Sequence, residues 1–167
     1  ADVRVAAVTA AMSVHRPKNF LQHMQNAEYT FGITLRHAFA SINALYVTPG
    51  PFSFYRRSVI EELGGFRYGH QTEDMEMALR IQQAGHIIEN APHARVYTKA
   101  PGTIAKLLKQ RTRWTSGFLR NILGEYRSLI GDRRHSALGM LVLVFLVGFQ
   151  LFFMDFVKSR RPAIEEV

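Results

Sequence analysis

The chain has 167 residues, 47% of them apolar and 20% charged, and a net charge of +8. That length allows one domain with appendages, and the apolar content excludes a disordered or collagen-like chain. With no cysteine, a disulfide framework and a thiolate metal site are excluded as well, so the fold must hold by burial alone.

The positive charge is concentrated. Residues 1–98 carry nine Lys/Arg against eight Asp/Glu, residues 99–134 nine against two, and residues 135–167 three against three. The excess precedes the most apolar run of the chain, where a phosphate-rich ligand or an anionic membrane surface explains it as well as nucleic acid does.

In chain order, residues 3–9 read as a buried strand with neither an initiator Met nor a signal sequence before it, the pattern expected of a chain whose beginning lies upstream. Pro17 and Asn19 mark a turn. Residues 20–44 then follow helical spacing through Leu21, Met24, Phe31, Leu35, Ala38 and Ile42, with Gly32 a candidate break. Thr48-Pro49-Gly50-Pro51 is a strong turn signal, residues 52–55 alternate as a short strand, and a helix over 57–63 stops at Gly64-Gly65. Thr72 is the candidate N-cap of a compact helix that ends at Gly85 and has Met77, Ala78 and Ile81 on its apolar face. Residues 86–88 and 94–97 read as two strands, and Thr103 as the N-cap of a long helix. Such alternation predicts an α/β domain.

Residues 137–154 contain one strongly polar residue, Gln150, and are flanked by Arg133 and Arg134 before and by Lys158, Arg160 and Arg161 after. Eighteen helical residues cover roughly 27 Å, near the thickness of a hydrocarbon core. A transmembrane helix is therefore expected over 136–157 and a polar tail over 158–167, with a buried core helix or an interfacial helix as the alternatives. Positive charge on both flanks leaves the orientation open.

Two short patterns carry chemistry. In Thr72-Glu73-Asp74 the acids could simply face the positive end of a helix, together with Glu76. In Gln110-Arg111-Thr112-Arg113-Trp114, residues 110, 113 and 114 are spaced i, i+3, i+4 and share a helix face. Ile104, Leu107, Leu108, Phe118 and Ile122 form a separate apolar arc. Lys106, Lys109, Arg113 and Arg120 form a basic stripe, which could meet anionic lipid. Arg111 falls in the apolar arc and so needs a partner or a path to solvent. An amide, a guanidinium and an indole on one face suit phosphate and sugar: Arg offers a bidentate fork, Gln both donor and acceptor, and Trp a flat stacking surface.

Thr-Glu-Asp, then Gln-x-x-Arg-Trp 36 positions after Asp74, then an apolar run resembles the processive family 2 glycosyltransferases, which include cellulose, hyaluronan and poly-N-acetylglucosamine synthases. Pro49-Gly50 ahead of the short strand and Leu63-Gly64-Gly65-Phe66 ahead of the acidic motif are similar too. The resemblance implies an α/β fold of the partial GT-A, Rossmann-like kind: residues 1–130 as the C-terminal half of the catalytic domain, followed by one membrane or interfacial helix. It implies that Asp74 is the general base of an inverting transfer and that Glu73, Gln110, Arg113 and Trp114 bind donor and acceptor. It further implies a nucleotide-sugar donor such as a uridine diphosphate sugar, a glycan or lipid acceptor, and a plasma or bacterial inner membrane with the catalytic face cytoplasmic.

The family also holds Mg²⁺ or Mn²⁺ through an Asp-x-Asp motif. That motif is absent here, so the metal is expected in the complete enzyme with ligands outside this chain, and the chain by itself is expected to be inactive. The seven histidines, His70 included, have no ligand spacing. A non-processive lipid glycosyltransferase is the alternative enzyme. A membrane-tethered basic binding module and a catalytically dead anchor are the alternatives of other classes. Against nucleic acid, the basic stripe holds one aromatic residue and no recognised motif, and residues 1–98 are nearly neutral.

Overall fold

The computed structural model describes residues 2–132, 134 and 136–148. The chain runs β1 (Val5–Val14), α1 (Phe20–Ser41), β2 (Phe54–Tyr55), α2 (Arg57–Glu62), a 3₁₀ turn (Gly69–Gln71), α3 (Glu73–Gln83), β3 (Ile87–Thr98) and α4 (Ile104–Leu123). A second 3₁₀ turn (Arg127–Leu129) and a π-helical stretch (Ser136–Leu143) follow. This is a mixed α/β domain with a three-stranded sheet of order β2-β1-β3, β1 pairing antiparallel with β2 and parallel with β3.

The two strands expected over 86–88 and 94–97 are one. Ala10 pairs with Ala91 but Ala11 with Arg95, so residues 92–94 bulge out of the ladder. Pro92, which has no N–H to give to the ladder, lies in that bulge and explains why the pattern reads as an interruption.

Helix α3 lies between two cores. Met75 and Leu79 pack with Phe118, Ile122, Tyr126 and Leu129, while Met77, Ala78 and Ile81 pack with Ala6, Ala7, Val59 and Ile88. Its polar residues Glu76, Arg80 and Gln82 are buried as well and make hydrogen bonds there. Glu76 accepts from Arg80 at 2.9 Å and from the Tyr126 hydroxyl, and Gln82 Nε2 donates to the Leu45 carbonyl at 3.2 Å. Glu76 is thus a core ion-pair partner rather than a solvated first-turn acid.

Helix α1 corrects the sequence reading. It continues through Gly32, but the apolar residues at its helical spacing point outward: Met24, Phe31, Leu35 and Ile42 are exposed, while Gln25 and Tyr29 are buried. The inward side is polar because it closes backbone groups that would otherwise be unpaired. Asn26 accepts from Val14 N at 3.0 Å, and Gln22 and Gln25 donate to the carbonyls of Ala100 and Pro101 at 3.0 and 2.9 Å. Ile104 and Leu108, at the start of the apolar arc of α4, are also exposed; Phe118 and Ile122 at its end are buried.

The transmembrane helix expected over 136–157 finds no support. Among the described residues no helix is long and apolar enough to cross a membrane. Within the described part of that segment, Leu138, Val142 and Leu143 are buried in the cluster of Ile122 and Leu129, so these apolar side chains are already covered by the domain. Residues 149–157 and the expected tail at 158–167 lie outside the described residues.

The acidic motif is docked onto α4 by a close approach at Gly117. A Cβ there would lie 2.4 Å from Thr72 Oγ1 and 2.5 Å from its Cγ2. Gly117→Ala should therefore destabilise the domain by about 1–3 kcal/mol, read as a lower urea midpoint at unchanged slope. The penalty should shrink in a Thr72→Ala background, because the two changes share one contact.

Candidate active site

Thr72 does not cap α3 with its side chain. Its buried hydroxyl donates to the Gly69 carbonyl at 2.8 Å and accepts from Asn121 Nδ2 of α4 at 3.0 Å; the same amide donates to the Gly69 carbonyl at 3.0 Å. Gly69, His70 and Gln71 all have positive φ, at 52°, 51° and 69°, a tight reversal held by these bonds rather than by local preference. At Gly69 a Cβ would lie 2.8 Å from Glu76 Cβ, so glycine is needed there for space as well as for φ. From α4, Arg113 Nη1 donates to the Gln71 carbonyl at 2.6 Å, tying the second motif to the first.

Asp74 follows in the first turn of α3. Its Oδ1 accepts from Met75 N at 2.8 Å and its Oδ2 from Gly50 N at 3.2 Å, so the Pro49-Gly50 turn is hung on the carboxylate. The Thr48 hydroxyl donates to the Asp74 carbonyl at 2.7 Å and itself accepts from the Tyr55 hydroxyl at 2.8 Å. Among the described residues no cation is ion-paired with it. Burial pushes the Asp74 carboxyl above its ordinary value, and the negative Glu73 adds to this, while the N–H donors of Met75 and Gly50 oppose it. Desolvation thus outweighs those donors and the positive helix end, which favour the ionised form.

The structure brings Glu73, Asp74, Gln110, Arg113 and Trp114 to the wall of one cavity of about 650 Å³. Arg111 lines it too and finds the partner it needs on α1. Its Nη1 and Nη2 lie 2.7 and 2.8 Å from the two oxygens of Glu28, and its guanidinium sits 4.6 Å from the centre of the Trp114 ring. One indole face is therefore covered by a cation, which leaves a sugar ring only the other. His70 is exposed beside Tyr68, outside the cavity lining.

Sequence reasoning missed Arg36, Tyr29 and Tyr46, which line the same cavity. Arg36 Nε and Nη2 and Gln110 Oε1 are buried without a partner among the described residues, and burial lowers the Arg36 guanidinium from its ordinary value. No short motif announces Arg36. Glu28 had a signal, since Arg111 required a counter-charge and Glu28 is the only acid in Phe20–Ser41.

These residues do not fit a metal. Among the described residues no three His, Asp or Glu side chains are grouped to hold an ion, and Glu28 is taken by Arg111.

In this mixed α/β domain one cavity joins a carboxylate to an amide, a guanidinium and an indole, groups suited to phosphate and sugar. The chain matches the model of glycosyl transferase family group 2 over residues 1–161 and belongs to that family. It is similar to the poly-beta-1,6-N-acetyl-D-glucosamine synthase of Staphylococcus aureus (strain COL), at 25% identity over 134 residues, 80% of this chain and 32% of the relative. The Staphylococcus epidermidis synthase of the same name is 24% identical over 143 residues, 85% of this chain and 34% of the relative. The chain spans about a third of the length of these curated relatives.

The raised Asp74 carboxyl fixes the sign of a pH effect. Stability contributed by its protonated form is fully present below the unfolded carboxylate value and is lost as pH rises through the folded one. The stability of Asp74→Asn relative to the parent should therefore grow as pH rises from the ordinary carboxylate range, measured by urea denaturation at a series of pH values. A pH-independent difference would show that the carboxyl is not held above its ordinary value.

Proposed function

We propose that this chain forms the acceptor-side part of an inverting glycosyltransferase that is membrane-associated and extends a polysaccharide from a nucleotide-sugar donor. The observation that carries the reading is the Asp74 carboxylate, free of any ion pair among the described residues, sharing one cavity with Gln110, Arg113 and Trp114. Both relatives are named as synthases of a polysaccharide, which favours a glycan over a lipid acceptor.

In this reading the acceptor hydroxyl gives its proton to Asp74 while its oxygen attacks the anomeric carbon. The bond from that carbon to the diphosphate oxygen breaks on the opposite side, the electron pair leaves with the diphosphate, and configuration inverts. A carboxylate whose affinity for protons has been raised by burial is a better base than one in water, provided it remains ionised at the working pH. Arg113 faces the charge that grows on the leaving group, and Gln110 and the open face of Trp114 orient the sugar. Glu73 neighbours the base without taking the proton. For the complete enzyme the reading includes a uridine diphosphate sugar, Mg²⁺ or Mn²⁺ on the diphosphate held by residues outside this chain, and a plasma or bacterial inner membrane with the catalytic face cytoplasmic.

In the intact enzyme, Asp74→Asn should lower kcat by about 10²–10⁴ with donor affinity unchanged, measured by transfer from a radiolabelled nucleotide sugar and by calorimetry. Turnover at the parent rate would remove Asp74 as the base. Arg113→Ala should weaken both donor binding and rate, with partial recovery in Arg113→Lys; an unchanged Arg113→Ala enzyme would leave the residue only its bond to Gln71.

A further inference from the structure

Glu28 has no part in the proposed transfer, yet it is the single acid of α1 and stands at the cavity wall. Its two oxygens accept from the two terminal nitrogens of Arg111, Oε1 at 2.7 Å from Nη1 and Oε2 at 2.8 Å from Nη2. Two parallel bonds between planar groups fix the plane of a guanidinium as well as its place. That guanidinium lies 4.6 Å from the centre of the Trp114 ring, about one turn further along α4. Orientation thus passes from α1 through Arg111 to the indole.

The carboxylate is itself held in place. Asn26, two residues earlier, accepts from Val14 N, and Gln22 and Gln25 donate to the carbonyls of Ala100 and Pro101 just ahead of α4. Those bonds already join α1 to the sheet and to the start of α4, so the domain does not need the ion pair for that purpose. With the Arg111 and Glu28 side chains 30% and 54% exposed, the pair also contributes little to stability. Its larger effect is on what Arg111 touches. An arginine on a half-exposed site without a carboxylate to grip keeps several rotamers, and its neighbour here is an indole that is half-buried and lines the cavity. Held, the guanidinium covers one ring face, so a pyranose can stack on Trp114 from the other side only. Released, it would leave both faces open and the ring able to tilt.

We propose that Glu28 is a positioning residue for the acceptor sugar that stacks on Trp114, acting through Arg111 and touching no reacting atom. This rests on the reading of Trp114 as a sugar platform and adds to it a residue of α1 that neither motif contains.

Trp114 is the only tryptophan of the chain, so its fluorescence reports on the ring without any transfer. Glu28→Gln should raise the quenching constant for acrylamide by up to about twofold, one open face becoming two, with the urea midpoint close to the parent's. In an Arg111→Met background the same substitution should change nothing further, because the two residues act as one unit. In the intact enzyme, with a short oligosaccharide cut from its own product as acceptor, Glu28→Gln should raise the acceptor KM by about two- to fivefold. Its kcat and donor affinity should stay near the parent's, and Glu28→Asp should fall in between. Unchanged quenching in Glu28→Gln overturns the proposal, and a lowered urea midpoint beside it would leave Glu28 a structural tie alone. Raised quenching with an unmoved acceptor KM overturns it as well. Neither result bears on Asp74 as the base, which Asp74→Asn tests separately.

Discussion

Everything at the candidate site depends on one buried polar contact, the hydroxyl of Thr72 held between the Gly69 carbonyl and the side-chain amide of Asn121. Apolar packing alone fixes how far apart two helices lie but is tolerant of sliding along their axes. A buried hydroxyl that must both donate and accept has one satisfactory position, and leaving it unpaired costs about 1–3 kcal/mol. This contact sets the start of α3 against the last turns of α4, and Gly69 and Gly117 supply the space. Arg113, bonded to the Gln71 carbonyl, fixes the same register about two turns earlier on α4. Two motifs 36 positions apart thereby become one rigid wall.

Helix α3 bears the consequence. Covered by apolar clusters on both sides, it can carry Glu76 and Arg80 inward because they neutralise each other and because the Tyr126 hydroxyl and the backbone carbonyls of Leu63 and Gly65 bond to them, which leaves Arg80 Nε without a partner among the described residues. Asp74 stands where this helix emerges into the cavity. It keeps two N–H donors but has no cation among the described residues, which is why burial raises its carboxyl instead of a salt bridge lowering it. The property that makes it a stronger base is thus the by-product of a helix buried on all sides.

Much of the fold was legible because it depends on local rules. Thr103 caps α4 with its side chain, Gly64 and Gly85 take positive φ where helices stop, and Met77, Ala78 and Ile81 are all buried. What could not be read depends on long-range partners. Helical spacing locates a stripe on α1 but not the direction it faces, since that was decided by backbone carbonyls at 100 and 101 in need of donors. Thr72 reads as a cap by type, yet Asn121, 49 positions away, claims its hydroxyl. At the site, the shared helix face of Gln110, Arg113 and Trp114 was visible in the spacing. Arg36 was not, because nothing near it in sequence marks the cavity it lines, and Glu28 was marked only through the counter-charge that Arg111 required.

Helix α1 therefore has two unlike faces. Tyr29 and Arg36 belong to the cavity wall, while Phe31 and Leu35, one or two turns away or less, lie on the opposite outer surface. A helix with its side chains is only about 10–12 Å across. The Glu28–Arg111 pair joins α1 to α4 at the edge of that cavity. Because the same guanidinium covers one face of Trp114, any displacement of α1 that strained this pair would also disturb the ring on which the sugar is proposed to rest.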